Sequence, residues 1–464
     1  MTQMNTSIRR LLVGLATAAS TFLTGPAPAQ SLPEALVRAY QTNPQLNAAR
    51  AGQRARDENV PQALAGYRPQ LAASLSAGLQ DVRSLLPNGN VDTGSLRPWQ
   101  IGLTVTQTVF NGFKTANSVR SAEAQVRSGR EALRNVGQGV LLDAVTAYAN
   151  VLANQTLVES QRQNVSFLEE TLNVARRRLA AGDVTPTDVA QAEARHNRGL
   201  ADLKSAQVNL ATSKAIFLQV IGIQPVRLAA PPLIDGLLPR NQDDALALGS
   251  KHHPAIIGAV FDIDVAQLNI SIADASLLPS VTLQGSITRG RETDPTMDKK
   301  GLDQASIIGQ VTAPIYDGGT AASQVRQAKE LVSQARMVLD QVRAQTKAAI
   351  AAAWTALDGA RVIVMAGESE VRAATLALEG VKKEAAGGQR TTLDVLNAQQ
   401  DLIAARARLI QAERDRVIAS YSLLSAVGRL DVATLKLKTP DYLPEVHYHQ
   451  VRDAWHGVRT PSGQ

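Results

Sequence analysis

Two matched clusters in this sequence combine residue types and a spacing that can hold polar groups together. In the first, Thr185 precedes Asp188 by three positions, and in the second Thr391 precedes Asp394 by three. This is the pattern of a capping box, in which each side chain accepts a hydrogen bond from the other residue's backbone N–H at the start of a helix. Arg390 stands directly before the second cluster and could donate a charge-assisted hydrogen bond to a carboxylate. This chemistry joins helices and breaks no covalent bond.

Other groups that could carry chemistry are sparse. His447 and His449 would share one face of a strand, but no carboxylate or cysteine spacing supports a metal site there, so a solvated tail is the better interpretation. The chain has no cysteine, no nucleophile elbow, no phosphate loop and no zinc-binding helix motif. The basic triplet 176–178 fits a charged helix face better than a nucleic-acid surface. We therefore expect no enzyme, cofactor, metal site or nucleic-acid partner.

The elements that position the two clusters are long helices. Residues 320–386 contain no proline. Their seam, aliphatic except for the polar Thr346, advances in steps of seven with a single step of eleven, from Thr346 to Leu357. Heptad steps place one apolar seam against neighbouring helices, and the longer step locally unwinds the supercoil. At 1.5 Å per residue this helix is about 100 Å long. The chain then turns near Gly388 and returns to Gly428, which predicts a coiled-coil projection too long for a globular core to cover.

The same segment occurs a second time, because Asp188 lies 206 residues before Asp394. Gly182 matches Gly388 at this offset, and the seam positions of the earlier copy are all aliphatic. They are Val119, Val126, Leu133, Val140, Val151, Val158, Val165 and Leu172. An ungapped repeat of this length predicts two equivalent helical hairpins, at 114–222 and 320–428.

Upstream of each hairpin the period changes from helix to strand. Within 70–110 and 280–316, apolar residues alternate with serine, threonine and glutamine, which predicts two strands in each segment. Strands of about ten residues with this alternation are typical of a barrel that faces lipid outside and water inside. An ordinary sheet with one solvated face gives the same alternation. The export signal described next and the small hydroxylic residues favour the membrane.

The first 29 residues predict a secretory signal peptide. Arg9 and Arg10 precede an apolar run, and Ala27-Pro28-Ala29 forms a small-residue cleavage site. Its removal lowers the formal net charge from +7 to +5, since it takes away two arginines and no acids. The mature chain has no run of 18 consecutive apolar residues, so we expect no membrane-spanning helix. Our predicted organisation is a signal peptide (1–29), a first repeat (30–223), a proline-rich linker (224–240), a second repeat (241–430) and a polar C-terminal tail (431–464) that lies along the body or is disordered.

Four strands per chain cannot close a barrel in a membrane. Open edges expose unpaired backbone groups, which hydrocarbon does not tolerate. Two copies would give eight strands, whose interior is filled by side chains, whereas three copies give twelve, wide enough to leave a channel. Three pairs of hairpins could likewise close into a helical tube. The predicted fold is an α+β membrane protein in which long coiled-coil hairpins form a helical barrel and three protomers share a twelve-stranded β-barrel.

The hairpin tips resemble those of the TolC family, the outer-membrane channels of Gram-negative type I secretion and multidrug efflux. The resemblance lies in the tip segments 180–189 and 387–395, the opening segment 32–36 and the Asn43-Pro44 pair, and it extends over essentially the whole mature chain. It implies a homotrimer in outer-membrane lipid whose helical tunnel lies in the periplasm. It also implies two kinds of partner, a periplasmic adaptor and an inner-membrane ABC transporter or proton-driven pump.

The resemblance further implies a gate at the tips. There Arg390 would bond to the Thr187–Asp188 end of a neighbouring hairpin, and Asp394 would belong to an acidic ring that narrows the entrance. Asn397 replaces the family's second ring acid and Ala385 replaces a tyrosine latch partner, which implies a weaker latch and a less acidic mouth. Spacing alone leaves helix capping as the alternative role of both aspartates. The residues expected to contact the adaptor are Gly182, Asp183, Gly388 and Gln389.

These observations predict a channel that exports substrates from a periplasmic assembly to the exterior, with type I protein secretion placed first. Multidrug efflux is the alternative, because cargo is selected by the inner-membrane pump. A soluble, exported coiled-coil scaffold is a third possibility. It explains the helices but neither of the alternating strand pairs.

Overall fold

The computed structural model describes residues 30–85, 89, 91–291 and 301–461, so the predicted signal peptide lies outside the described residues. Each half of the chain runs through short helices, strands and a long helical hairpin, and the internal duplication is confirmed. The first half contains α1 (Leu32–Thr42), α2 (Pro44–Asp57), α3 (Asn59–Leu64), β1 (Gln70–Ala77), β2 (Gln80–Leu85), β3 (Val91–Leu96), β4 (Trp99–Asn111), α4 (Lys114–Ala180) and α5 (Pro186–Ile221). The second contains α6 (Gln242–His252), α7 (Pro254–Asp274), β5 (Ser280–Arg291), β6 (Gly301–Thr312), α8 (Thr320–Ala386) and α9 (Thr392–Ala426), followed by α10 (Pro444–Val451).

Helices α4 and α8 are the longest elements, with 67 residues each. Their predicted seams are largely buried, and even the polar seam residue Thr346 is only 6% exposed. Val119, Val165 and Val371 are the seam positions that remain half-buried within one protomer. The main core lies where both hairpins meet α1 and the linker. It includes Leu36, Val140, Tyr148, Phe217, Leu357 and Leu424.

The shorter helices stack end to end and so match the length of α4 and α8. The short helices break at Pro44 and Pro254, because proline lacks the N–H and clashes with the preceding turn. At the first break, the Asn43 side chain caps α2 and donates to the carbonyl of Val220 at the end of α5, over 3.0 Å. At the second, Gly428 lies two residues beyond the end of α9 and packs against the His252 carbonyl. The helical column of each hairpin is therefore extended by a short helix stacked on its end.

The strands form an antiparallel sheet in the order β1-β4-β5-β6. The register puts Leu71, Leu75, Leu103, Ile287 and Ile307 on one face. The other face carries mainly serine, threonine and glutamine, together with Ala72, Leu302 and Ile308. Leu75 is 77% exposed and Ile307 81% exposed. On the polar face, the hydroxyls of Ser286 and Ser306 lie 2.8 Å apart. The predicted alternation is confirmed, and the apolar face has no protein cover among the described residues.

Two regions differ from the expectation or refine it. Strands β2 and β3 form a separate two-stranded sheet, so residues 70–111 contain four strands where we predicted two; residues 86–88 and 90 lie outside the described residues. Charged residues such as Arg83 within β2 favour solvent over hydrocarbon. This is consistent with the β2–β3 hairpin lying outside the main sheet. The C-terminal tail lies along the body: Nδ1 of His447 is 3.0 Å from Oδ2 of the buried Asp57.

Helix hydropathy qualifies one expectation. Residues 114–180, 242–277 and 320–386 each contain an 18-residue window apolar enough to span a membrane by composition. Requiring 18 consecutive apolar residues was therefore too strict a criterion for a membrane-spanning helix, because alanine-rich windows that include polar residues can have an equally high mean hydropathy. The length of α4 and α8 argues against their spanning a membrane. At about 100 Å, each is more than three times the thickness of a bilayer core.

The stacking of α9 on α7 depends on a glycine, and a matched pair of variants tests it. Gly428 and Gly182 both have positive φ, at 78° and 81°. Alanine costs roughly 1–2 kcal/mol at either position because of the left-handed backbone. A Cβ at 428 would also lie 2.7 Å from the His252 carbonyl oxygen, whereas one at 182 would meet nothing within 4 Å. We expect Gly428→Ala to lower the thermal unfolding midpoint clearly more than Gly182→Ala; equal losses would mean that the stacking contact is unimportant.

Candidate channel entrance

Both hairpin tips have the same backbone construction. Gly182 and Gly388 adopt left-handed conformations, with φ of 81° and 80°. In the first tip, the N–H groups of Gly182 and Asp183 donate to the carbonyls of Leu179 and Arg178, at 3.0 and 2.9 Å. Gly388 and Gln389 make the equivalent bonds in the second tip. These are the paired bonds that end a helix at a left-handed residue, so the tip glycines act as helix terminators.

The two predicted capping boxes are present. In the second, Oδ2 of Asp394 accepts hydrogen bonds from the N–H and the hydroxyl of Thr391 at 2.9 and 2.8 Å. Asp188 accepts from Thr185 over the same distances. The backbone N–H of the threonine is the main reason that the pKa of each carboxyl lies below its ordinary value, followed by the threonine hydroxyl. Within one protomer both aspartates are therefore helix caps, and their gate role stays a prediction.

Arg390 bonds inside its own hairpin. Its Nε donates to Oε2 of Glu384 at 3.0 Å, and this hydrogen bond raises the pKa of the guanidinium. Both side chains are about half exposed. No hydrogen bond or ion pair joins Arg390 to Thr187 or Asp188 among the described residues of a single chain. Because the bond was predicted to a neighbouring hairpin, it stays a prediction for an assembly of several chains.

Contacts between the two hairpins join residues that sequence reasoning did not pair. Arg195, on α5, donates to Oδ1 of Asn397, on α9, at 3.0 Å. The side-chain amide of Gln399 donates to Oδ1 of Asn164 at 2.9 Å, and both residues are 6% exposed. Asn397 is thus a hydrogen-bond acceptor for the first hairpin. A polar residue next to a heptad seam, as Asn164 is next to Val165, was the one signal that could have indicated the buried pair.

The remaining predicted site residues are exposed at the tips. Thr187, Asp183 and Gln389 are accessible to solvent, as are both tip glycines. Their side chains and backbone form a small polar surface at the end of each hairpin. No group of three or more potential metal ligands occurs among the residues described, which include His447 and His449. Each tip is therefore a polar, hydrogen-bonded end of a helical hairpin.

Comparison with known proteins gives this architecture a family. The profile described as outer membrane efflux protein matches residues 35–222 and 248–429, which is most of the chain and one match per repeat. The chain belongs to this family. The outer membrane efflux protein BepC of Brucella suis is 39% identical over 459 residues, covering 98% of each chain. The alkaline protease secretion protein AprF of Pseudomonas aeruginosa is 24% identical, over 94% of this chain and 92% of its own.

A solved structure shows the same fold. The CmeC outer membrane channel of Campylobacter jejuni superposes with a TM-score of 0.77 at 16% identity, covering 91% of this chain and 89% of CmeC. The resemblance to the TolC family is confirmed, as is the α+β fold class. The chain is therefore an outer-membrane channel protein and not an enzyme. Its helical hairpins lie in the periplasm.

The caps predict a pH dependence of stability. A carboxyl whose pKa is lowered in the folded state stabilises the fold above its unfolded pKa, near the ordinary value of 3.8, and this contribution is lost as the pH falls through the folded pKa. We expect Asp394→Ala to lower the thermal midpoint at neutral pH and to have little effect below the depressed pKa. Circular dichroism at 222 nm measures the difference. Asp401→Ala, on the exposed side of the same helix, is the control; if it shows the same pH profile, the cap is not the cause.

Proposed function

We propose that the functional unit is a homotrimer that exports substrates from a periplasmic assembly to the cell exterior. The observation that carries this proposal is the sheet edge. Strands β1 and β6 each pair on one side only within the described protomer, while their apolar face is uncovered. Unpaired backbone groups are not stable in hydrocarbon, so β6 of one protomer would pair with β1 of the next. Three sheets would then close a twelve-stranded barrel.

The connection between sheet and helices supports a continuous conduit. Strand β4 enters α4 through Gly112 and Phe113, both with φ of 64°. Oδ1 of Asn111 accepts from the N–H of Thr115 at 3.3 Å, and its amide donates to the threonine hydroxyl at 2.7 Å. In the second repeat, the carboxylate of Asp317 accepts from the N–H groups of Gly319 and Ala321 at 3.0 and 2.6 Å. These short, hydrogen-bonded turns would keep the barrel aligned with a tunnel about 100 Å long.

The hairpin tips would be the docking surface for the periplasmic adaptor. Gly182, Asp183, Gly388 and Gln389 are exposed and lie at the end of the helical wall farthest from the sheet. Their glycines leave backbone groups accessible, and the sequence of each tip differs enough to distinguish the two hairpins. An inner-membrane ABC transporter or proton-driven pump would complete the assembly.

The same tips would form the gate, with Thr187, Asp188, Arg390, Asp394 and Asn397 as its residues. A guanidinium has five N–H donors, so the bond from Arg390 to Glu384 leaves donors for a second acceptor. In a closed trimer that acceptor would be Asp188 of an adjacent protomer. Asn397 would contribute hydrogen bonding and no charge to the mouth.

For the cargo, we place small-molecule efflux first, because BepC, which shares 39% of its residues and nearly its whole length with this chain, is named an efflux protein. Type I protein secretion, favoured from the sequence, is the second candidate. It is supported by the name of AprF, a protease secretion protein that also matches almost end to end.

Mass and phenotype together test this function. The protein purified in detergent should have the mass of three chains after correction for bound detergent. Deleting the gene should increase cellular accumulation of a fluorescent dye if the cargo is small, and should remove a protein from the culture medium if the cargo is a protein. A stable monomer that keeps its strand content contradicts the trimer. Wild-type levels of dye and of secreted proteins in the deletion strain contradict both cargoes.

A pair of single-residue variants tests the gate. Arg390→Ala should raise single-channel conductance in planar bilayers without reducing the amount of trimer, because it removes the proposed bond between protomers. Glu384→Ala removes only the partner within the hairpin and should leave conductance close to that of the wild type. If both variants raise conductance equally, the contact that matters is the one within the hairpin and the bond to Asp188 is wrong.

A further inference from the structure

The C-terminal segment runs along α4 toward the sheet. Glu445 pairs with Arg130 at 3.2 Å, and the hydroxyl of Tyr448 donates to Oε1 of Glu123 at 3.4 Å. On α4, Glu123 lies about 10 Å nearer than Arg130 to the strand that precedes this helix, because α4 begins at Lys114. Successive residues of the segment therefore approach the junction between the helices and the sheet.

The segment reaches this junction at Arg68. Nη1 of Arg68 donates to the carbonyl of Ala454 at 2.6 Å, and its guanidinium lies 4.7 Å from the ring centroid of Trp455. Strand β1 follows shortly after Arg68, and its first residue on the apolar face is Leu71. Even a fully extended chain separates Leu71 from Arg68 by only about 10 Å. Trp455 therefore lies at the level where the apolar face of the sheet begins.

The apolar side chains at the end of the segment have little protein cover. Trp455 is 68% exposed although Arg68 stacks on its ring, and Val458 is 99% exposed. Exposed apolar groups of this size that lie close together mark a surface that contacts another apolar phase or molecule. The uncovered apolar face of the sheet adjoins them. The two surfaces are therefore continuous at the junction.

The exposed aromatic side chains of the described residues lie at two levels. Tyr67, Phe113 and Tyr316 lie at junctions between helices and strands, with exposures of 53%, 65% and 87%. Trp99 lies at the opposite end of β4 and is 39% exposed. Membrane β-barrels carry a girdle of aromatic residues at each interface with water. Trp455 adds a member to the girdle nearer the helices, although it belongs to no strand and to no junction.

We propose that Trp455 inserts into the headgroup region of the periplasmic leaflet of the outer membrane, so that residues 452–461 bind the phospholipid surface around the barrel. The apolar body of the indole contacts the lipid, while its N–H finds acceptors among the headgroups. Arg68 uses one N–H for the carbonyl of Ala454, and a guanidinium has five, so it can also donate to a lipid phosphate.

The position of Trp455 favours lipid over a neighbouring protomer as the partner. Tyr67, Phe113 and Tyr316 come from both repeats and are exposed at the same level, which is the arrangement of a girdle and not of a single protein contact. Three such segments inside the tunnel would obstruct it, so the segment lies on the outer side of the wall. This last step rests on the proposed channel function.

Fluorescence quenching in liposomes tests the proposal. The chain has no cysteine, so one introduced cysteine can carry a bimane label. The test position is Val458. The matched control is Val446, on α10, which is 54% exposed but lies farther from the sheet, and the reference for lipid contact is Leu71, on the apolar face. The liposomes consist of phosphatidylethanolamine and phosphatidylglycerol and contain a lipid with a nitroxide on its headgroup.

The headgroup nitroxide should quench the label of Val458→Cys about as strongly as that of Leu71→Cys, and should leave Val446→Cys close to its unquenched intensity. Equal quenching of Val458→Cys and Val446→Cys overturns the proposal. It is also overturned if the label at 458 is shielded from a soluble nitroxide without being quenched by the lipid nitroxide, because a neighbouring protomer then covers the segment. If Leu71→Cys is not quenched either, the sheet is not in lipid and the proposed channel function fails as well.

A second substitution in the Val458→Cys protein assigns the anchor. Trp455→Ala should lower the lipid quenching at 458 by roughly threefold or more, since it removes both the interfacial ring and its contact with Arg68. Trp455→Tyr supplies another girdle residue and should keep most of the quenching. The label at Val446 shows whether α10 stays in place in both variants. Quenching at 458 that is unchanged in Trp455→Ala overturns the role of Trp455.

Discussion

The structure depends on one constraint: in hydrocarbon every backbone N–H and C=O group must have a partner. The four-stranded sheet satisfies this rule in its interior and leaves it unsatisfied at the outer edges of β1 and β6. The uncovered apolar face shows that the sheet is made for lipid, and the edges show that one chain is insufficient. The number of chains, the width of the barrel and the number of helices in the tunnel wall all follow from how those edges are closed.

The helical part solves a different problem, which is to build a wall of uniform length from helices of unequal length. Helices α5 and α9 are about half as long as α4 and α8, and the missing half is supplied by α2 and α7 stacked on their ends. The junctions need a side chain that caps one helix while bonding to the end of another, as Asn43 does, or a glycine where two backbones meet, as at Gly428. Proline at the first position of each new helix fixes the break.

The features that depend on local periodicity could be predicted from the sequence. Heptad spacing and the repeat indicated the two helical hairpins, period-two alternation indicated the faces of the sheet, and the Thr-x-x-Asp spacing indicated the caps. Sequence reasoning did not find Arg195 with Asn397 or Asn164 with Gln399, because those contacts join residues more than 200 positions apart and depend on the angle between hairpins. It also missed Glu384 as the partner of Arg390, since a bond across the tip requires the path of the turn.

Helices α4 and α8 both have 67 residues, so the length of the tunnel can change only in discrete steps. Removing one residue from a single helix would withdraw its tip by about 1.5 Å and turn the seam by about 100°, which breaks the match with its neighbours. A heptad removed at the same level from all four columns of the wall keeps every seam in place, and it shortens the tunnel by about 10 Å. Relatives of this channel that reach across a wider or narrower periplasm should therefore differ in steps of seven residues, taken twice in each repeat.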